Sequence, residues 1–414
     1  MKRAKDFVGG DKLSPPRPGR RQPVAAGWRT VKLGEVCELN PRRPKLNRAS
    51  STPTTFVQMS AVAENGGGIL RPETRPFGEV AKGYTFFAEG DVIFAKITPC
   101  MQNGKHAIAR KLLDGIGFGS TEFHVFRPGD EIISEWIFNF LLQPIILTEA
   151  TRHFTGAVGQ QRVPENVLAN MEIALPPKDE QRRIAARVRE QMASVERARA
   201  AVQAQLDAAK TLPAALLRAI FTSPAAQRWP RQPFGELVVN HDGRRVPLKH
   251  SDRANRQGAY PYYGASGIID QIDYYLFDGE FLLIGEDGAN LLARSTPIAF
   301  RASGKFWVNN HAHVVQPKPG IRIELLEHYF AALDLARYVT GSAQPKLSQG
   351  ILNEIPFPVP PPDEQQKIAA RLDAELTAAR ALVETLESRL AEIELLPATL
   401  LRAAFRGGDG LVPG

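Results

Sequence analysis

The sequence predicts an α+β chain built by duplication: two similar α+β modules, each followed by a long α-helix, with the two helices packed as an antiparallel coiled coil and an internal pseudo-two-fold repeat. Three observations predict it. First, the stretch from Asp179 recurs from Asp363 at a constant offset of 184 residues, with 16 identities in 43 positions gathered at the two ends. Second, both copies carry one apolar stripe in steps of three and four, the signature of a helix with a single packed seam. Third, segments ahead of each copy also recur in the same order, so whole modules are repeated.

The helices come first because they fix the frame. The copies open as DEQRRIAARV and DEQQKIAARL and close as LPAALLRAIF and LPATLLRAAF. In the first, the stripe runs through Ile184, Val188, Met192, Val195, Ala198, Val202, Leu206, Ala209 and Leu212. The second has Ile368, Leu372, Leu376, Ala379, Leu382, Leu386, Leu390, Ile393 and Leu396 in the same register. A spacing near 3.5 is a coiled-coil seam, and the economical partner for each helix is the other copy. Prolines set an extended approach, and Asp179 or Asp363 stands as N-cap or first-turn acid, complementing the helix dipole. Each helix would run for roughly 65 Å, with a kink or restart expected at Pro213 and Pro397. Two unrelated surface helices would be the alternative; matched register and matched prolines argue against it.

The modules follow in chain order. WRTVKLGEV from Trp28 is matched by WPRQPFGEL from Trp229, GDVIFAKI from Gly90 by GEFLLIGE from Gly279, and TEFHVFRP from Thr121 by NHAHVVQP from Asn310, which aligns His124 with His313. TGAVGQQRV from Thr155 is matched by TGSAQPKL from Thr340. Residues 92–97, 123–126, 281–285 and 313–316 are rich in branched and aromatic side chains and read as strands. Residues 134–151 and 325–339 read as short amphipathic helices. The expected divisions are a disordered basic tail over 1–27, modules over 28–177 and 224–361, helical regions over 178–223 and 362–406, and a disordered end over 407–414.

Composition narrows the function. A chain of 414 residues with 43% hydrophobic and 23% charged residues has room for two or more cored domains. Cys37 and Cys100 form no CxxC pair, so neither a disulfide framework nor a zinc site is expected, and a reducing cytoplasm is. No apolar run reaches membrane-spanning length. The net charge of +8 needs dividing, because residues 1–27 hold seven basic side chains against Asp6 and Asp11 and supply +5 of it. Bulk charge is therefore a weak argument for nucleic acid, and the tail is either a disordered extension or an arm on phosphates. Catalytic signatures are missing: NPRR at Asn40 and YPYY at Tyr260 are no base-holding methyltransferase motif, and neither NGKH nor SGKF completes a phosphate loop. HAH at His311 and the acids of GEDGAN read first as strand packing and a tight turn, and only second as metal or nuclease groups.

The twice-occurring PPKDEQRRIA and PPPDEQQKIA, the LPAALLRAIF type of ending, the TGAVGQQRV and TGSAQPKL segments and the W-x4-[LF]-G-E openings resemble the specificity subunit of type I restriction-modification enzymes. The resemblance covers residues 28 to 406. It implies two target recognition domains, one per half of a split DNA site, joined by long spacer helices packed antiparallel. Two methyltransferase subunits would dock on those helices and carry S-adenosylmethionine; restriction subunits are optional further partners. The chain itself would be a reader and scaffold with no catalytic residue, metal or cofactor of its own.

Residues for DNA contact follow from chemistry, since Lys and Arg suit phosphates while Arg, Lys, Gln and Asn match base edges. The first module offers Arg42, Arg43, Lys45, Arg48, Lys96 and Lys105, with Gln160, Gln161 and Arg162 on the glycine-bearing loop. The second offers Arg244, Arg245, Lys249, Arg253, Tyr262, Tyr263 and Lys305, with Gln344 and Lys346 on the matching loop. For each, a solvated surface role is the competing reading, and for His124 and His313 a packed or hydrogen-bonded imidazole is favoured over catalysis. A diverged nuclease or methyltransferase and a DNA-free coiled-coil adaptor are the rival functions.

Overall fold

The computed structural model describes residues 25–157, 159–341 and 344–406. The basic tail expected over 1–27 lies, up to residue 24, outside the described residues, as does the end over 407–414. The described residues divide into two compact units, those up to residue 200 with those from 391 on, and residues 201–390.

In the first unit, an antiparallel sheet runs in the spatial order Cys37–Leu39, Phe123–Pro128, Val92–Ala95, His106–Ile108. Alternation along its central strand decides what each face covers. Val92 and Phe94 join a core with Trp136, Ile137 and Phe140 of the helix Ser134–Leu141. Ile93 points the other way, into a core with Val57 and Phe87. Those two belong to a second sheet, ordered Glu73–Pro76, Pro53–Val57, Ile116–Gly119, Thr85–Ala88. A sheet buried on both faces needs a continuous apolar run, which is why VIFA carries no polar residue.

The second unit repeats this frame. Val238–Asn240, Ala312–Pro317 and Phe277–Gly285 pair in the same order, and the sheet continues through Ala299–Val308, Tyr260–Gly264 and Gly267–Ile272 to six strands. Leu282 and Ile284 face Leu326 and Phe330 of the helix Ile323–Ala332, while Phe281 and Leu283 face Phe306 and Val308. The three shared strands and their helix are common to both units; what lies beyond differs.

The long helices are Lys178–Phe221 and Pro362–Ala404, of 44 and 43 residues. Their repeated DEQ opening has a direct physical explanation. Gln181 is fully buried, donates to the carbonyls of Glu131 and Pro176 at 2.8 Å each, and accepts from the Ile133 N–H at 3.0 Å. Gln365 does the same with Gly320, Pro360 and Arg322. The neighbouring Glu180 accepts from the indole N–H of Trp28 and Glu364 from that of Trp229, both at 3.2 Å. The Trp and Gln of each repeat thus clamp a helix start onto its own module. The ends are anchored too: Ile184 and Val188 share a core with Leu401 and Ala404 in the first unit, and Leu217 and Phe221 share one with Leu372 and Leu376 in the second.

Several expectations need correction. Both helices continue through Pro213 and Pro397 without a restart; each proline removes one N–H, while turns on either side keep theirs and later residues such as Leu217 and Leu401 are held in a core. The seam is also displaced locally. Ile184, Val188, Val195, Val202, Leu206, Leu372, Leu376 and Leu386 are buried, and Met192, Ile368 and Leu390 are half-buried. Leu382 is instead 42% exposed, with Leu212 at 38%, Leu396 at 41% and Ala198 also exposed. Strict steps of four and three through Leu372, Leu376, Ala379, Val383, Leu386 and Leu390 place Val383, not Leu382, on the stripe. The helix expected over 134–151 breaks into Ser134–Leu141 and Pro144–Arg152, because Pro144 forces Gln143 out of helical geometry (φ −63°, ψ 129°). The one expected over 325–339 stops at Ala332.

His106 is fully buried between Phe94 and Phe138, with Nε2 3.2 Å from the Phe138 carbonyl oxygen. Burial pushes its pKa down to about 4 from 6.5. With the folded pKa below the unfolded one, the unfolded chain binds more protons in between. The associated stability is therefore full above pH 6.5 and is lost as the pH falls through 4, to the extent of about 3 kcal/mol. Urea unfolding at pH 7 and pH 4.5 should show this loss in the first unit, and His106→Leu should flatten it; an equally steep slope in the variant would place the proton uptake elsewhere.

Candidate nucleic-acid interface

In both units the repeated polar loop closes on itself and is latched by a histidine. Thr155 and Arg162 exchange backbone hydrogen bonds at 3.0 and 2.9 Å, and Thr340 and Lys346 at 2.9 and 2.8 Å. The glycine after each threonine has a positive φ, and a Cβ at Gly341 would lie 2.6 Å from the Gln344 carbonyl oxygen, so the turn admits no side chain there. His124 Nε2 lies 2.9 Å from the Val163 carbonyl oxygen, and His313 Nε2 lies 2.8 Å from that of Leu347. The end of each loop is tied in as well, through Val163 N–H to Lys96 O and Leu347 N–H to Glu286 O.

The far side of each imidazole is held by a residue with no sequence signal of its own. Asn40, in the left-handed region (φ 47°), reaches His124 Nδ1 at 3.1 Å and accepts from Val125 N–H at 3.0 Å. Asp242 occupies the same role, 2.6 Å from His313 Nδ1 and accepting from Val314 N–H at 2.8 Å. Burial of His124 lowers its pKa, favouring the neutral ring that such a latch needs.

Charge then differs between the two loops. Arg162 is held by both carboxylate oxygens of Glu122, at 2.7 and 2.8 Å, and donates to Gln160 O at 2.8 Å. The hydrogen bond from Arg162 outweighs burial and holds the Glu122 carboxyl below its usual range. In the second unit Arg245, with only 13% of its side chain exposed, donates to Glu286 at 2.6 Å and to Ala312 O at 2.7 Å and lies 3.4 Å from Asp242; Lys346 reaches Glu286 at 3.2 Å. Burial pushes the Asp242 and Glu286 carboxyls upward, yet hydrogen bonds from His313 and Arg245 and the nearby charges win and hold both below the usual range. Asp242, Glu286 and His313 bring three ligand-type atoms together, but Arg245 and Lys346 already neutralise the two acids. His311 pairs with Asp287 at 2.8 Å and stays outside this group.

The structure therefore sorts the sequence-based candidates. Gln160 and Gln344 stand exposed on latched loops, Gln161 is half-buried, and Arg42 and Lys45 are exposed on the segment before Pro53. Lys96 and Lys105 are half-buried. Arg43 donates to Ala81 O, and Arg48 pairs with Asp114 at 2.8 Å beside Phe77. Arg162 and Arg245 spend most of their donors within the protein. Arg244 is exposed and stacks 4.7 Å from the Phe277 ring, and Lys305 lies 4.7 Å from the Tyr275 ring. Tyr263 packs half-buried against Phe300 and Phe306; Tyr262 is fully buried, with its hydroxyl accepting from Leu248 N–H, and Arg253 pairs with Asp270. Among the described residues no helix is long and apolar enough to cross a membrane.

Two α+β units that share one latched loop and differ in their outer strands, each containing part of both long helices, define a class of internally duplicated two-unit protein. The sequence profile of the Type I restriction modification DNA specificity domain matches residues 26–197 and 234–394, and the chain belongs to that family. It is 38% identical over 159 residues to the type I restriction enzyme EcoEI specificity subunit of Escherichia coli, covering 38% of this chain and 26% of that one. With the EcoAI specificity subunit of the same organism it shares 35% identity over 211 residues, covering 50% and 35%. The chain thus spans about a quarter to a third of these relatives' length. Its fold is that of the HsdS subunit from Thermoanaerobacter tengcongensis, with a TM-score of 0.69 at 23% identity over 93% of this chain and 98% of that one. A chain from a structure concerned with assembly and conformational transition of the type I R-M system gives 0.70 at 24%, over 94% and 100%.

Proposed function

We propose that the chain is the DNA-reading, non-catalytic specificity subunit of a type I restriction-modification complex in the cytoplasm. Residues 28–177 and 224–361 are the two recognition domains for a bipartite target in double-stranded DNA. The helical regions 178–223 and 362–406 pair as an antiparallel coiled coil, on which two methyltransferase subunits and, where present, restriction subunits assemble. The observation that carries this reading is a duplication with a constant frame and a variable periphery. The clamp on each helix start and the histidine-latched loop recur, whereas the outer strands of the two units are arranged differently, as reading two different half-sites requires. The antiparallel pairing is supported inside each unit, where the start of one long helix shares a core with the end of the other. The exposed Gln160 and Gln344 carry the amide chemistry that matches an adenine edge, and Arg42, Lys45, Arg244 and Lys305 suit phosphates.

Co-expression with a neighbouring methyltransferase subunit, followed by mapping of methylated adenines across a bacterial genome, tests it. The expected result is a bipartite motif with an unspecified middle that disappears when this chain is omitted. A stable complex with no motif would favour an adaptor, and methyl transfer or cleavage by the purified chain alone would restore the enzyme reading.

A further inference from the structure

The second unit carries an aromatic and basic feature that neither the loop latch nor the core explains. The segment Tyr274-Tyr275-Leu276-Phe277 leads out of the strand Gly267–Ile272 into Phe277–Gly285. Tyr274 keeps 57% of its surface exposed, although its ring stacks on Tyr275 with centroids 5.5 Å apart and planes at 26°. Tyr275 in turn meets Tyr260 at 5.2 Å. A tyrosine left this open gains little from folding, so its stacking holds an apolar face at the surface without hiding it.

Two cations bracket the same four residues. Lys305 lies over the Tyr275 ring, and Arg244 lies over the Phe277 ring while donating one N–H to Leu276 O at 2.6 Å. Both side chains are thereby pre-positioned, and both retain donors for a further acceptor. Of the nearby acids, Asp273 is paired with Arg256 at 3.0 Å, and Asp278, opposite Lys305 on the neighbouring strand, offsets part of the Lys305 charge. Exposed stacked rings flanked by oriented cations fit a polyanion that also offers flat π-faces.

We infer that Tyr274 is a base-stacking residue for duplex DNA at the half-site read by the second unit, with Arg244 and Lys305 holding the flanking phosphates. This rests on the DNA-reading role proposed above and assigns it a contact outside the repeated loops. Tyr274 wedges against a base step, and the unstacking that this requires is offset by the new ring contact and by the two phosphate contacts beside it. Tyr274 and Tyr275 lie between the strands Gly267–Ile272 and Phe277–Gly285, outside the three shared strands, so the contact bears on that half-site alone.

The test uses the complex with its methyltransferase subunit and a duplex carrying the mapped motif. Tyr274→Ala should weaken binding about tenfold with an unchanged salt slope, and Tyr274→Trp should stay within about threefold of the natural protein. Arg244→Ala and Lys305→Ala should each reduce the slope of log affinity against log salt by about one. With 2-aminopurine scanned through the second half-site, one position should brighten on binding the natural protein and fail to brighten with Tyr274→Ala. Binding by Tyr274→Ala within twofold of the natural protein, with the same 2-aminopurine response, overturns the inference. So does loss of the methyltransferase subunit from that variant with DNA affinity intact, which would make this a protein contact. A natural complex that yields no motif fails the DNA-reading role itself, whereas a clear motif indifferent to Tyr274 fails this inference alone.

Discussion

On the function proposed above, deleting one heptad from each long helix, residues 196–202 and 388–394, should shorten the unread middle of the target by about three base pairs while leaving both half-sites unchanged. Seven residues are two helical turns, and at 1.5 Å each they remove about 10 Å, against 3.4 Å per base pair along a DNA strand. A whole heptad returns every seam position to its own face, so Val195, Leu206, Leu386 and the other buried seam residues keep their apolar surroundings. The clamps at Gln181 and Gln365 lie well away from the deleted turns. The control removes five residues from each helix, which shortens the coil by a similar length but rotates the downstream turns by about 140°, bringing charged residues toward the seam. That variant should lose assembly, and hence methylation, altogether. Adenine methylation mapping reads both outcomes. A spacer of unchanged length in the heptad-deleted protein would sink the idea that the coil is the ruler.

The parts of this design that were legible in the sequence are those written as local periodicity or as literal repetition. Steps of three and four revealed the helices because a helix face is a property of neighbours along the chain. Even there the stripe is misplaced by one residue at Leu382, since Leu382 and Val383 are both apolar and steps of three then four fit the one as steps of four then three fit the other. The repeated DEQ was visible as a motif but silent as to cause. Gln181 is buried because Glu131, Ile133 and Pro176 converge on it, and no spacing in the sequence announces that meeting. The same holds for the latch. His124 and His313 could be paired by alignment, whereas Asn40 and Asp242 are different residue types brought to equivalent places by separate strands. The outer strands were the least legible. Ile116–Gly119 and Gly267–Ile272 carry too few residues and too mixed a pattern to declare a sheet before their partners are known.

Arg245→Ala should destabilise the second unit by about 3–5 kcal/mol, far more than removal of any other basic residue considered as a DNA contact. The guanidinium is the principal counter-charge for two carboxylates that are nearly out of water, Asp242 with 7% and Glu286 with 12% of the side chain exposed, beside His313 at 1%. Taking it away leaves both acids beside one imidazole and Lys346, whose own side chain is 53% exposed and screened accordingly. Removing one partner of a buried charge group costs several kcal/mol because the remaining charge stays buried and uncompensated. For a unit of this size, that corresponds to a fall of about 10 °C in its melting temperature. Arg245→Lys should recover only part of the loss, since an ammonium cannot bridge Glu286, Asp242 and the Ala312 carbonyl as the planar fork does. Arg162→Ala is the matched contrast. Its partner Glu122 is 25% exposed and Arg162 itself 41%, so water replaces the lost pair and the melting temperature should hardly move. The triple variant Asp242→Asn, Glu286→Gln, Arg245→Met separates charge from shape: with the acids neutralised it should regain most of the stability that Arg245→Ala loses. Differential scanning calorimetry of the complex reads all four. A melting temperature for Arg245→Ala within 2 °C of the natural protein would mean that the two carboxylates are not held ionised in the folded unit, and that the second loop is latched by His313 alone.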